Sequence, residues 1–384
     1  MERRLAVVLL FVCAVSSQGK PRARELGVPF AGTPGPFNAI TDVSGVEVGH
    51  TTLISGNGKL VVGEGPVRTG ITIILPRGRS VDAPVFAATF ALNGTGEMTG
   101  TAMIEEYGVL EGPIALTNSQ SIGTVRDAVS AWLVREKHWE LCCLLVVAET
   151  FDGDLNDIHG FHVHAEHVLA AISSASSGPV PEGNVGGGTG TSSRRVSTDF
   201  GTYTVGALVQ ANMGRRPQLT VAGIPVSTEL PLTDQNAELR RGERDAGSII
   251  IAVATDAPLL PHQLKRLAKR AALGLARTGA ISGDSSGDLF LAFSTAAPGL
   301  VPLQSGRTQP LLSVQMLPNE QMNTLFEGVV EAVEEAIINA LFAADTMVGI
   351  NGVRVEALPV EQVLTLLKRH DRLNSEGKSN LTAQ

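Results

Sequence analysis

The chain has 384 residues, is 43% hydrophobic and carries a formal net charge of −8 with no basic block. A large core can be built from such a chain, while the acidic balance argues against a nucleic-acid groove or a polybasic membrane patch. Forty-two glycines and an aromatic content of 4% suit tight turns and close backbone packing, and the length is compatible with one layered domain.

The first twenty residues, MERRLAVVLLFVCAVSSQGK, join Arg3 and Arg4 to an apolar run from Leu5 to Val15 and then to small residues. This is the pattern of a signal peptide, and the run is short for a membrane span. The expectation is export, periplasmic or secreted, with residues 21–384 as the mature domain. Cys13 falls in the removed segment without a lipobox-like context. The other two cysteines, Cys142 and Cys143, are neighbours on an expected strand, so no disulfide framework is present.

Residues 20–36 read as a Pro/Gly/Arg-rich arm. From Ile40 onward short apolar runs alternate with glycine turns, as in GITIILPRG (70–78), APVFAATFALNGTGEMTG (83–100) and LLVVAETFDG (144–153). Helical periodicity appears at 124–136, where Val125, Ala128, Val129, Trp132 and Leu133 share a face, and again at 164–175. GNVGGGTGTSSRR (183–195) reads as a long glycine-rich loop, and TYTVGALVQANMG (202–214) as a strand ending in a turn. Residues 231–246 are polar, charged and aperiodic, which predicts an exposed linker. A strand follows at 249–254, then an amphipathic helix at 259–279 with Leu264, Leu267, Ala268 and Ala271 on its apolar face. A turn and strand at 282–295 precede a second long helix at 325–344, and the polar tail from Arg369 reads as mobile. The mixture predicts layered sheets and helices in an α/β sandwich.

The junction DAGSIIIAVATDAPL (245–259) sets a small Gly-Ser pair where the linker becomes a β-branched strand. By itself such a pair can simply be a strand entry. It also permits chemistry. A serine hydroxyl can attack its own preceding carbonyl, and a glycine there leaves that carbonyl sterically open. Cutting Gly247–Ser248 would free an α-amino group with an ordinary pKa of about 7.7–8.0, suited to general-base work. Nucleophile and base would then share one residue.

Eight ordered blocks give this junction its context: NAITDVSGVEVGHTT (38–52), NGTGEMTG (93–100), ALTNSQSIGTV (115–125), AETFDGDLNDIHGFHV (148–163), GNVGGGTG (183–190), VGALVQANMG (205–214), GSIIIAVATDAPLLPHQL (247–264) and SSGDLFLAFST (285–295). Together they resemble the self-processing L-aminopeptidase/D-amidase (DmpA-like) and β-aminopeptidase family over residues 38 to 355. The resemblance implies a four-layer αββα sandwich of the DmpA/ornithine-acetyltransferase (ArgJ-like) type, cut into an α chain ending at Gly247 and a β chain starting at Ser248. It makes Ser248 the nucleophile, Asn212 an oxyanion-hole donor, Ser286 and Asp288 the pair beside the amine, and Glu149 and Phe151 substrate-binding residues. Many relatives carry glutamate where this chain has Asp288. It implies no cofactor and no metal, a small peptide or amino-acid amide as substrate, and a homo-oligomer, a tetramer of αβ units.

The chain departs from the family pattern in a shorter run between the glycine loop and Thr191–Arg194, and in lacking a tryptophan on the strand before Glu149, near the place of Cys142 or Cys143. Taken singly, each residue also has an ordinary reading: Asn212 as a turn cap, Ser286 and Asp288 as part of a turn, Glu149 as a turn start. His162, His164 and His167 have a spacing open to zinc, but no cysteine partner is near. The glycines of 186–190 lack a P-loop ending and read instead as close backbone contacts near the pocket. Two other functions stay open: acyl transfer, as in ornithine acetyltransferases, and a non-catalytic binding protein on the same fold.

Overall fold

The computed structural model describes residues 20–79, 83–136, 138, 144–183, 188–230, 247–296, 299–302 and 311–374. The apolar leader, the 231–246 linker, Cys142 and Cys143 lie outside them, apart from Lys20 at the leader's end.

In chain order the elements are β1 (Glu47–Ser55), β2 (Val67–Arg79), β3 (Val85–Gly94), α1 (Thr101–Tyr107), β4 (Val109–Leu110), β5 (Ile114–Asn118), α2 (Ile122–Arg135), β6 (Val146–Thr150), α3 (Ala165–Ser174), β7 (Thr189–Thr198), β8 (Gly201–Asn212), β9 (Thr220–Val221), β10 (Ile224–Pro225), α4 (Val226–Glu229), β11 (Ser248–Thr255), α5 (Pro261–Arg277), β12 (Gly287–Ser294), α6 (Met322–Ala343), β13 (Met347–Val348), β14 (Arg354–Val355) and α7 (Val360–Arg369). One sheet has the order β1-β2-β5-β6 and the other β4-β3-β12-β11-β8-β7. The β5/β6 and β11/β12 pairs are parallel and the remaining pairs in these two sheets antiparallel.

Three apolar clusters separate four layers. One lies between α2/α3 and the four-stranded sheet, one between the sheets, and one between the six-stranded sheet and α5/α6. This is the αββα sandwich expected from the sequence. Strand β11 is buried throughout because it is central in the larger sheet. Ile249, Ile251 and Val253 face α5 and α6, while Ile250, Ala252 and Ala254 face the other sheet. Each buried isoleucine contributes roughly 1.5–3 kcal/mol, so the strand behind Ser248 is firmly held.

Two readings need correction. Residues 189–195 are strand β7 rather than loop. Their polarity hides burial: the Thr191 hydroxyl bonds the Ala207 carbonyl, the Ser192 hydroxyl bonds the Ala332 carbonyl, and the Arg194 guanidinium reaches Glu335. The segment after Arg369 does not leave the body at once. The Arg372 amide bonds the Leu367 carbonyl, the Asn374 amide bonds the Gly27 carbonyl, and His370 lies 2.6 Å from Glu229. The N-terminal arm is fastened too, with Ala23 and Val28 buried and Arg24 paired to Glu335 on α6.

Candidate active site

Ser248 opens β11 with the parity of Ile250 and Ala252, which turns its side chain toward the space between the sheets. It is only 5% exposed. Its register partners are Asn212, the last residue of antiparallel β8, and Gly287, the first residue of parallel β12. The Gly287 N–H lies 3.3 Å from the Ser248 hydroxyl and 3.3 Å from the Gly247 carbonyl oxygen. One backbone donor therefore serves both the hydroxyl and the carbonyl before it. Any Cβ at Gly287 would stand 2.6 Å from the Thr95 carbonyl oxygen and 2.9 Å from Gly96 Cα, so glycine is required for this close approach.

Ser286 and Asp288 flank Gly287. Their hydroxyl and carboxylate bond each other at 2.8 Å and both are buried. They have the parity of Phe290 and Ala292, which face α5 and α6. The pair thus sits on the other side of β12 from the face Ser248 presents. Asn212 donates from Nδ2 to the Phe151 carbonyl at 2.5 Å. An amide nitrogen carries two donors, so this bond fixes the group and leaves a second N–H. Phe151 lies just past β6, 41% exposed, and Gly153 gives its ring room: a Cβ there would meet the ring at 2.4 Å.

Glu149 is 6% exposed near the end of β6. Its Oε1 accepts from the Glu97 amide at 3.2 Å, and its Oε2 accepts from the Ser119 hydroxyl. Below it, Gln210 of β8 spans the sheets, donating to the Thr117 carbonyl at 2.9 Å and the Thr150 hydroxyl at 2.8 Å. Asp152 accepts from Asn156 at 3.0 Å. Burial pushes its carboxyl up to about 6 against opposing hydrogen bonds from Thr69, Asn156 and Asn118. The structure thus gathers Gly247, Ser248, Asn212, Ser286, Asp288, Glu149 and Phe151 at one end of the two sheets.

Reading the sequence missed Ser119, although it lies in the ALTNSQSIGTV block. It also missed the Gly287 amide and the Phe151 carbonyl, which are backbone groups without a residue-type signal. The histidines lie apart from this centre in role: His162 pairs with Asp157 at 2.9 Å, and His167 Nδ1 accepts from the His164 amide. Of the glycine loop, Gly188 meets backbone beside the site, its carbonyl accepting from the amide of Ala211, next to Asn212, at 3.0 Å. A Cβ at Gly190 would lie 2.0 Å from the Ala336 carbonyl oxygen, so that glycine seats β7 on α6. Residues 184–187 of the loop lie outside the described residues.

The fold and this centre define a hydrolase of the aminopeptidase class, with a serine at a strand's head. Residues 38–355 match peptidase family S58, and the chain belongs to that family. It is 50% identical over 387 aligned positions to the β-peptidyl aminopeptidase BapA of Sphingosinicella microcystinivorans, covering 95% of this chain and 96% of that one. Among solved structures, the L-aminopeptidase D-Ala-esterase/amidase of Ochrobactrum anthropi superposes with a TM-score of 0.85 at 43% identity, over 92% of this chain and all of that one. That protein is described as a prototype of the serine aminopeptidases and a variant of the Ntn-hydrolase fold. A Burkholderia β-aminopeptidase gives a TM-score of 0.81 at 47% identity, over 91% of this chain and 99% of that one.

Proposed function

We propose that the chain cuts itself between Gly247 and Ser248, and that the mature enzyme releases small N-terminal residues of L, D or β configuration from peptides and amides. The observation that carries this reading is the single Gly287 N–H within 3.3 Å of both the Ser248 hydroxyl and the Gly247 carbonyl. Nucleophile and electrophile are adjacent, and a donor already polarises the carbonyl. In maturation the Ser248 oxygen attacks the Gly247 carbonyl carbon, the C–N bond breaks, and the proton passes to the departing nitrogen. Water then hydrolyses the ester, leaving a carboxylate on Gly247 and restoring the hydroxyl.

In turnover the freed amine takes the hydroxyl proton as Ser248 attacks the substrate carbonyl. The second N–H of Asn212 and the Gly287 amide stabilise the oxyanion. The Ser286–Asp288 pair orients the amine and holds its positive charge. Glu149 binds the substrate's own ammonium, and Phe151 walls the pocket. The leaving amine departs with the proton, and water releases the acyl residue. The names of the relatives support this substrate class: one is a β-peptidyl aminopeptidase and another an L-aminopeptidase with D-Ala esterase and amidase action.

The reading includes export through residues 1–20, an α chain ending at Gly247, a β chain of residues 248–384, and assembly of αβ units into a homo-oligomer, a tetramer. N-terminal sequencing of purified protein tests the central step. A fragment beginning SIIIAV is expected from the wild type and none from Ser248→Ala, which should also lack activity. An uncut chain with full activity overturns it.

A further inference from the structure

We propose that Asp152 is a positioning residue for two groups of the site: it aims the side-chain amide of Asn212 through the Phe151 carbonyl, and it steadies Glu149 through Asn118 and Ser119. The proposal rests on the aminopeptidase reading above.

Asp152 comes two residues after the end of β6, next to Phe151. Four donors favour its charged carboxyl. The Asn156 side-chain amide lies 3.0 Å from Oδ1. The Thr69 hydroxyl, the Asn118 side-chain amide and the N–H of Asp152 itself act in the same direction. A side chain with a donor of its own would turn one of these groups away, so the set selects an anion. Burial works against the charge, but with a pKa of about 6 the group is mostly ionised at neutral pH.

The effect on Asn212 comes through one peptide plane. The Phe151 carbonyl and the Asp152 N–H belong to a single planar trans unit and point in opposite directions. An N–H drawn to the Asp152 carboxylate therefore turns the Phe151 oxygen the other way, where it accepts from Asn212 Nδ2 at 2.5 Å. The turn beyond is closed as well. The Asp152 carbonyl accepts from the amides of Leu155 at 3.1 Å and Asn156 at 3.0 Å, and Asn156 Oδ1 accepts from the Arg68 amide of β2 at 2.9 Å.

The effect on Glu149 runs through β5. Asn118, its last residue, donates from Nδ2 to the Thr69 hydroxyl at 2.8 Å, which leaves the hydroxyl proton for Asp152. Asn118 Oδ1 accepts from the amides of Gln120 at 3.1 Å and Ser121 at 3.0 Å. These bonds shape the turn that carries Ser119, whose hydroxyl donates to Glu149. Asp152 thus stands behind the oxyanion donor on one side and the ammonium-binding acid on the other.

The test is a pair of double-mutant cycles on processed protein, read with the p-nitroanilide of β-alanine and normalised by active-site titration. Asp152→Asn keeps the shape and removes the charge. It should lower kcat and raise KM, with kcat/KM falling about tenfold to a hundredfold, the scale of misplacing a group by about an ångström. In an Asn212→Ala background the same change should no longer lower kcat, and in a Glu149→Gln background it should no longer raise KM. Thr69→Val spares the carboxylate and should reproduce the rise in KM with little change in kcat. Equal losses in all three backgrounds, or unchanged rate constants beside a lowered melting temperature, overturn the proposal. Where Asp152→Asn does not fold, an unchanged KM in Thr69→Val overturns it. Processed wild-type protein that leaves the substrate intact overturns the aminopeptidase reading, and this proposal with it.

Discussion

The backbone amide of Gly287 reaches across from β12 to the carbonyl oxygen of Gly247, at 3.3 Å. Gly247 lies tightly against the end of β8, where a Cβ would stand 2.8 Å from the Asn212 carbonyl oxygen and 2.9 Å from Met213 Cα. Gly247→Ala should push the scissile carbonyl off this donor and slow self-cleavage strongly. Once cut, that residue no longer belongs to the reacting serine. The processed fraction should then turn substrate over near the wild-type rate. Time-resolved gel analysis and active-site titration separate the two effects, and equal damage to both would contradict the separation.

Asn212 has one amide proton committed to the Phe151 carbonyl, and the proposed mechanism assigns the other to the substrate oxyanion. Asn212→Ala should lower kcat about 10²–10³-fold, the usual loss for one oxyanion donor, with a much smaller change in KM. Steady-state kinetics on a p-nitroanilide reads both constants. A rise confined to KM would make Asn212 a binding residue instead.

Glu149 is held by the Glu97 amide and the Ser119 hydroxyl, so its carboxylate is fixed before substrate arrives. Glu149→Gln removes the charge but keeps the shape. KM for a free-amine substrate should rise about tenfold to a hundredfold, from the loss of one charge-assisted hydrogen bond. Ser119→Ala should give a smaller shift in the same direction. Unchanged KM in both variants would remove the ammonium from this position.

The sequence made the central strand legible because Ile249, Ile250, Ile251 and Val253 are β-branched and buried on both faces. Alternation along that strand also turned Ser248 toward the inter-sheet space. The αββα layering, by contrast, came from ordered motif blocks rather than from periodicity. Strand β7 was illegible because its Thr, Ser and Arg side chains are buried through partners far off in sequence, such as Ala332 and Glu335 on α6. Helix α7 and the contacts after it were missed because the polar tail draws the eye past Val363, Leu366 and Leu367, which are fully buried. The Gly287 donor was unreadable for another reason: an amide's direction depends on register, and register with a strand 39 residues distant is a tertiary fact.

Glu335 would hold together the two chains that the proposed cut makes. It lies at 0% exposure on α6, in what would be the β chain, yet its partners Arg24, Asn38 and Arg194 all precede the cut. Burial alone would raise its pKa. The hydrogen bond and charge of Arg24, the charge of Arg194 and the Asn38 amide outweigh that and hold the carboxyl below its ordinary value. A carboxylate with a depressed folded-state pKa contributes stability above its unfolded value of about 4.3, and that contribution is lost as pH falls through the folded value. Glu335→Gln should therefore cost about 3–5 kcal/mol at neutral pH, because Arg24 and the buried Arg194 lose the carboxylate that joins them and Arg194 keeps only the more distant Glu331, at 3.4 Å. It should also flatten the acid limb of the stability curve below about pH 4. Denaturant titrations of the processed protein from pH 3 to 8 check both effects. A variant as stable as wild type at pH 7, with an unchanged acid limb, would show that the carboxylate is not what clasps the two chains.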